Sequence, residues 1–183
     1  GMCPECNGLG FHKEVDKDLV IPNYNLSLNE GAIDPFATSK EGTYYYEIIK
    51  AIAESYKFPR DKAIKEAPKE MIDEILYGTG KKQLKFTFDS HYTGRKKFVG
   101  SFEGVINNLE RRYLQAGADA MKSRIEEYMT DMTCSKCHGA RLKDEYLSVK
   151  INGLNIAEVT DMPISESYEW FNNLKLNESE KII

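Results

Sequence analysis

Four cysteines carry the clearest chemistry in this sequence. They form two matched pairs, Cys3-Pro4-Glu5-Cys6 and Cys134-Ser135-Lys136-Cys137, each followed by the same punctuation, Cys6-Asn7-Gly8 and Cys137-His138-Gly139. Two residues between sulfurs let one tight turn aim both at a single ion, and zinc favours four thiolates in a tetrahedron. A glycine two places after the second cysteine permits a positive φ and lets backbone N–H groups approach the sulfurs. No apolar run approaches membrane length and no signal-peptide pattern opens the chain, so a cytoplasmic setting is expected, where structural disulfides are rare. A thioredoxin-type redox site needs one such pair at a helix start, not two copies. The sequence therefore predicts one structural zinc held by Cys3, Cys6, Cys134 and Cys137, with His12 and His138 nearby but outside a completed shell.

The second chemical feature is a concentration of positive charge. The chain has 183 residues, 41% of them hydrophobic and 30% charged, and carries a net charge of −4, which alone argues against a nucleic-acid partner. Between Lys81 and Arg112, however, eight basic residues (Lys81, Lys82, Lys85, Arg95, Lys96, Lys97, Arg111 and Arg112) face three acidic ones, leaving −9 for the rest. Such a segment suits phosphate backbones, because each neutralised phosphate releases a condensed counterion. Loop cations kept for solubility are the competing account. No base-reading motif is present, so sequence-specific readout is not expected. Gly78-Thr79-Gly80-Lys81-Lys82 looks like a P-loop but fails as one. Ile75 stands where the first glycine is needed and Lys82 where a Ser or Thr should follow. With no nucleophile–base pattern either, the chain is expected to have no catalytic site of its own.

These groups need a scaffold. Zinc knuckles usually lie about 15–20 residues apart, yet 127 residues separate Cys6 from Cys134. The simplest account is a zinc ribbon split by an inserted domain, whose closure cost grows only slowly with loop length. The segment from Asp16 to Ser39 reads as loop. Helical spacing predicts helices over Glu41 to Phe58, Lys69 to Tyr77 and Val105 to about Met129. Between them, Leu84, Phe86 and Phe88 alternate, and Phe98 and Phe102 follow a basic loop from His91 to Lys97, which predicts a β-hairpin. After the second knuckle, Tyr146 to Ile151 reads as a strand, Ile156 to Thr160 as strand or short helix, and Ser165 as the N-cap of a helix carrying Trp170 and Phe171. The end, Lys181-Ile182-Ile183, reads as helix without a stop signal, and Gly1 ahead of Met2 reads as a remnant of tag cleavage. The expected class is α+β: mixed helices with a hairpin or small antiparallel sheet, inserted into a split four-cysteine zinc module. The expected boundaries are 1-13 and 131-150 for the two knuckles, 14-130 for the insertion and 151-183 for a further, incomplete region.

Taken together these residues resemble the UvrA family, the damage-sensing component of the excinuclease ABC system. The resemblance rests on Cys3-Pro4-Glu5-Cys6-Asn7-Gly8-Leu9-Gly10, Leu26-Ser27-Leu28 with Gly31-Ala32-Ile33, and Ile75-Leu76-Tyr77-Gly78-Thr79-Gly80. It continues through Phe102-Glu103-Gly104-Val105-Ile106, Asn108-Leu109-Glu110-Arg111-Arg112-Tyr113, and Cys134 to Leu142, then Asn155 to Thr160 and Trp170 to Leu174. It implies an internal fragment of a dimeric damage-sensing ATPase of bacterial nucleotide excision repair. In that setting 14-130 is the insertion domain, expected to contact damaged double-stranded DNA, and 151-183 begins the signature region. The parent would bind ATP, its dimer mate and UvrB. This chain lacks the Walker motifs and the ABC signature, so those activities do not carry over to it. The reading from a different class is a zinc-stapled structural or protein-interaction domain without direct nucleic-acid contact.

Overall fold

Apolar residues at three-and-four spacing build the core helices, and a switch to period two builds the hairpin between them. In the computed structural model, which describes residues 1–90 and 94–176, the order is β1 (Phe11–Val15), α1 (Lys17–Val20), α2 (Tyr44–Ser55), α3 (Lys69–Tyr77), β2 (Leu84–Ser90), β3 (Gly94–Gly100), α4 (Val105–Gln115), α5 (Asp119–Glu126), β4 (Met129–Thr133), α6 (Asp144–Leu147), α7 (Ile156–Thr160) and α8 (Ile164–Asn172). His91, Tyr92 and Thr93 of the expected hairpin loop, and the closing Lys181-Ile182-Ile183, lie outside the described residues. The class is the expected one, mixed helices with two small antiparallel sheets. β1 pairs with β4 and β2 with β3. By internal contacts the chain divides into two units, Lys13–Thr130 on one hand and Gly1–His12 with Asp131–Ile183 on the other. Among the described residues no helix is long and apolar enough to cross a membrane.

In the unit Lys13–Thr130, Ile48 and Ile52 of α2, Met71 and Ile75 of α3, and Val105 and Leu109 of α4 are buried together. The segment from Asp16 to Ser39, expected as loop, contains the short helix α1 and a 3-10 turn at Asp34–Phe36 and is irregular elsewhere, and it is not a surface loop. It buries Val20, Ile21, Leu28, Ala32, Ile33 and Phe36 in the same core. Its backbone is satisfied by a distant segment, with Ile64 N–H donating to Leu26 O at 2.9 Å and Lys65 N–H to Tyr24 O at 3.0 Å. Buried chain without a regular ladder is tolerable only when such partners exist.

Three expectations need correcting. The single helix from Val105 to Met129 is two helices broken at Ala116-Gly117-Ala118, and Ala120 is exposed rather than inward-facing. Met129 already belongs to β4. Tyr146 to Ile151 forms no strand; Tyr146 and Leu147 close the short helix α6, and Ile151 makes an isolated bridge to Leu154. The strand-like composition of that run is a propensity signal overridden by its setting. Pro163, not Ser165, caps α8, its fixed φ suiting the start of a helix.

Gly78 and Gly104 hold the unit at its tightest point. Both adopt φ near +100° with extended ψ, at φ 106° and 92°, a region essentially reserved for glycine. A Cβ on Gly104 would fall 2.4 Å from the Tyr77 carbonyl carbon, and one on Gly78 would fall 2.6 Å from Phe102 O. This also explains the P-loop lookalike. Thr79 is buried, its N–H donates to Phe102 O at 2.9 Å, and its hydroxyl accepts from Phe102 N–H at 2.9 Å. The motif is a structural clamp. Gly104→Ala should lower unfolding stability by at least about 2–3 kcal/mol, while Gly80→Ala, with nothing within 4 Å of its Cβ, should cost about 1 kcal/mol. Urea midpoints of the two variants check this, and equal midpoints would contradict it.

Candidate functional site

The two cysteine knuckles fold as copies of one another. In the first, Asn7 and Gly8 have φ of 51° and 79°; in the second, His138 and Gly139 have 48° and 88°. These left-handed pairs turn the chain back toward the sulfurs. Leu9 N–H donates to Cys6 O at 3.0 Å, and Ala140 N–H donates to Cys137 O at 2.8 Å. Each knuckle is then strapped to the other at equivalent positions: Cys3 N–H donates to Arg141 O at 2.8 Å, and Cys134 N–H to Gly10 O at 2.9 Å. The outcome is convergence. All four sulfurs lie within 4.8 Å of one another, all four residues are buried, and Cys6 Sγ stands 3.7 Å from Cys137 Sγ.

Ligands about 2.3 Å from a tetrahedral ion stand about 3.8 Å apart, so this geometry suits a metal ion. The neighbouring dipoles suit thiolates. Burial would raise the Cys6 thiol, but hydrogen bonds from Gly10 N–H (3.2 Å), the Cys137 and Cys3 thiols and Gly8 N–H outweigh it and lower the pKa to about 7. At Cys137 burial prevails and the thiol is pushed up to about 11.

The eight basic residues separate into groups. The hairpin register places Lys85 opposite Val99, Thr87 opposite Lys97 and Asp89 opposite Arg95 on one face; Phe86 opposite Phe98 and Phe88 opposite Lys96 occupy the other. Arg95, Lys96 and Lys97 therefore lie within β3 rather than in a loop. The aromatic face packs on Tyr44 of α2, whose ring is 5.3 Å from Phe88 and 5.6 Å from Phe98. Lys85, Arg95 and Lys97 share the opposite face, all exposed. Lys96 sits on the aromatic side, also exposed, and Lys81 is exposed ahead of the hairpin. Among the described residues, none of these five cations has an ion-pair partner.

Two others are committed to the protein itself. Lys82 Nζ pairs with Glu74 at 2.8 Å, donates to Ser55 Oγ at 2.9 Å and lies 4.4 Å from the Tyr56 ring centroid. Arg111 donates through Nη2 and Nε to the two Glu103 oxygens, at 2.7 and 3.1 Å. That contact, with the hydrogen bond from Asn108, holds Glu103 below the usual carboxylate range. Arg112 is half-buried on α4. Spacing along the chain carries no signal for Arg60. Its guanidinium lies 4.0 Å over the Tyr46 ring, and its buried Nε has no acceptor.

Comparison with known proteins places these features in context. A family model described as the UvrA DNA-binding domain matches residues 16–127. The UvrABC system protein A of Clostridium perfringens is 43% identical over 185 residues, covering 100% of this chain and 20% of that protein. Its counterpart in Staphylococcus aureus is 39% identical over 183 residues (100% and 19%), and that of Bacillus subtilis 38% over 180 residues (98% and 19%). The crystal structure of UvrA2 from Deinococcus radiodurans superposes with a TM-score of 0.65 at 23% identity, covering 100% of this chain and 24% of that one. That likeness supports the fold. The chain belongs to the UvrA DNA-binding domain family, and it spans about a fifth of the length of the curated relatives it matches.

Elemental analysis should find one tightly bound metal ion per chain. Thiols must shed protons to become ligands, and with Cys6 lowered and Cys137 raised apparent metal affinity should fall continuously as pH is lowered. A competition titration with a chelator at several pH values checks this. A disulfide between knuckle cysteines with no metal would sink it.

Proposed function

We propose that this UvrA-family chain is a DNA-contacting module of a bacterial nucleotide excision repair protein, with a structural zinc at its knuckles. In this reading 1-13 and 131-150 are the halves of the zinc module, 14-130 is the inserted DNA-contacting domain, and 151-183 begins the signature region. Four thiolates with no carboxylate or imidazole among them favour zinc over harder divalent ions, and four sulfurs leave no open position for a substrate. The ion's role is to hold the knuckles. ATP turnover, dimerisation and contact with UvrB belong, in this reading, to parts of the parent protein outside this chain.

The observation that carries the DNA reading is the basic face of the hairpin. Lys85, Arg95 and Lys97 alternate along paired strands, exposed and, among the described residues, without an ion pair, although Asp89 stands opposite Arg95. Charges in such a row meet phosphates rather than base edges, so binding is largely independent of sequence. Lys81 and Lys96 flank the row. Lys82 and Arg111 contribute through stability, since each already satisfies a carboxylate, and Arg112 adds positive field from α4.

Replacing Lys85, Arg95 and Lys97 together with alanine should flatten the plot of log affinity against log salt by about 2–3 units for duplex DNA. Lys82→Ala should lower the unfolding midpoint and leave that slope nearly intact. Fluorescence anisotropy at several salt concentrations measures both. If the triple variant keeps wild-type affinity and slope, the basic face is solvated decoration; if the wild-type chain shows no salt-dependent binding to duplex DNA at all, the module is a structural one.

A further inference from the structure

Apart from the hairpin, one cation in the unit Lys13–Thr130 is held in an arrangement that calls for an anion. Arg60 lines a cavity of about 230 Å³ together with Asn29, Ser39, Tyr45, Tyr46 and Ile49. A guanidinium stays charged at any pH a protein survives. Here it lies 4.0 Å over the Tyr46 ring, its Nε is buried without an acceptor, and among the described residues no carboxylate pairs with it. Most of the polar groups of this unit are satisfied: Tyr45 OH reaches Asn108 Oδ1 at 3.3 Å, and Tyr128 OH reaches Asp34 Oδ2 at 2.8 Å. A buried donor left without a partner is the exception.

We propose that the Arg60 cavity receives a phosphate group of a DNA backbone. Three features support that ligand. The cation–π contact with Tyr46 holds the guanidinium at the cavity wall, and a guanidinium fork matches two oxygens of one tetrahedral anion. Ser39 adds a half-buried hydroxyl to the lining, and its side chain has no hydrogen bond among the described residues. The cavity is also lined by Tyr45 and Tyr46 in the first turn of α2, next to Tyr44, which packs on the aromatic face of the hairpin. Ser39 lies three residues before Gly42, whose carbonyl accepts from Asp89 N–H at 2.6 Å, and Asp89 is paired with Arg95. The cavity and the hairpin therefore both adjoin the start of α2 within the same unit. This inference rests on the DNA reading above and adds a contact that charge clustering along the sequence does not reveal.

The test uses the metal-loaded chain. The Arg60 Nε–H resonance, identified by its loss in Arg60→Lys, is followed in a nitrogen-15 NMR titration with a short duplex and, separately, with inorganic phosphate. The duplex should move the resonance in step with its binding isotherm, while inorganic phosphate should move it the same way only at far higher concentration. In salt-dependent anisotropy, Arg60→Ala should lower the slope by about one unit, and Arg60→Lys should keep the slope but bind severalfold more weakly. A resonance unmoved by saturating duplex would overturn the proposal, as would a response to inorganic phosphate alone, which would mark a free-anion pocket. So would a wild-type slope in Arg60→Ala. If the hairpin triple variant flattens the slope and Arg60→Ala does not, only this inference fails. If Arg60→Ala flattens it and the triple variant does not, only the hairpin reading fails.

Discussion

Tyr44 lies among Phe86, Phe88 and Phe98, with ring centroids 5.3 to 5.9 Å away, and Phe86 stacks on Phe98 at 4.8 Å. This aromatic cluster decides what the hairpin can do. A strand pair has two faces, and burying one against α2 leaves the other to solvent. Of the charged residues on β2 and β3, Lys85, Asp89, Arg95 and Lys97 fall on the open face and only Lys96 on the aromatic one. Lys85, Arg95 and Lys97 are held outward because three phenylalanines are held inward.

The cysteine centre rests on a different economy. Its two knuckles repeat one conformational recipe, a Cys-x-x-Cys turn followed by two left-handed residues, and each supplies the backbone acceptor for the other's first cysteine. The repetition matters physically because neither knuckle can surround an ion alone. Backbone donors at Gly8 and Gly10 stabilise negative sulfur in one half, and those at Gly139 and Arg141 do so in the other. At Cys6 these donors outweigh burial, whereas at Cys137 burial still prevails.

Much of this is legible in the sequence. The span of α3 can be read to the residue, because Pro68 and Gly78 punctuate a clean apolar stripe. The hairpin follows from its alternating phenylalanines, although β3 starts earlier than the run of Arg95, Lys96 and Lys97 suggests. α2 begins at Tyr44 rather than Glu41, since Gly42 takes φ of 86°. The break between α4 and α5 is hidden, as Ala-Gly-Ala carries no strong stop. The commitment of Lys82 to Glu74 and of Arg111 to Glu103 is also hidden, because linear charge counting cannot see partners 8 residues away. Arg60 is invisible for the same reason in reverse. A lone arginine between Pro59 and Asp61 looks paired until the fold shows otherwise.

The register of the hairpin also constrains how this protein can vary. Side chains on a strand alternate, so parity, rather than length, governs which change is tolerated. Deleting Lys97 while keeping the Phe86–Phe98 pairing would shift its predecessors by one place, turning Lys96 to the open face and bringing Arg95 to the aromatic face. Removing or adding residues in twos preserves the sorting and merely moves the turn. Insertions and deletions near this tip should therefore occur in even steps across natural variants, a rule of arithmetic imposed on the gene by one tyrosine.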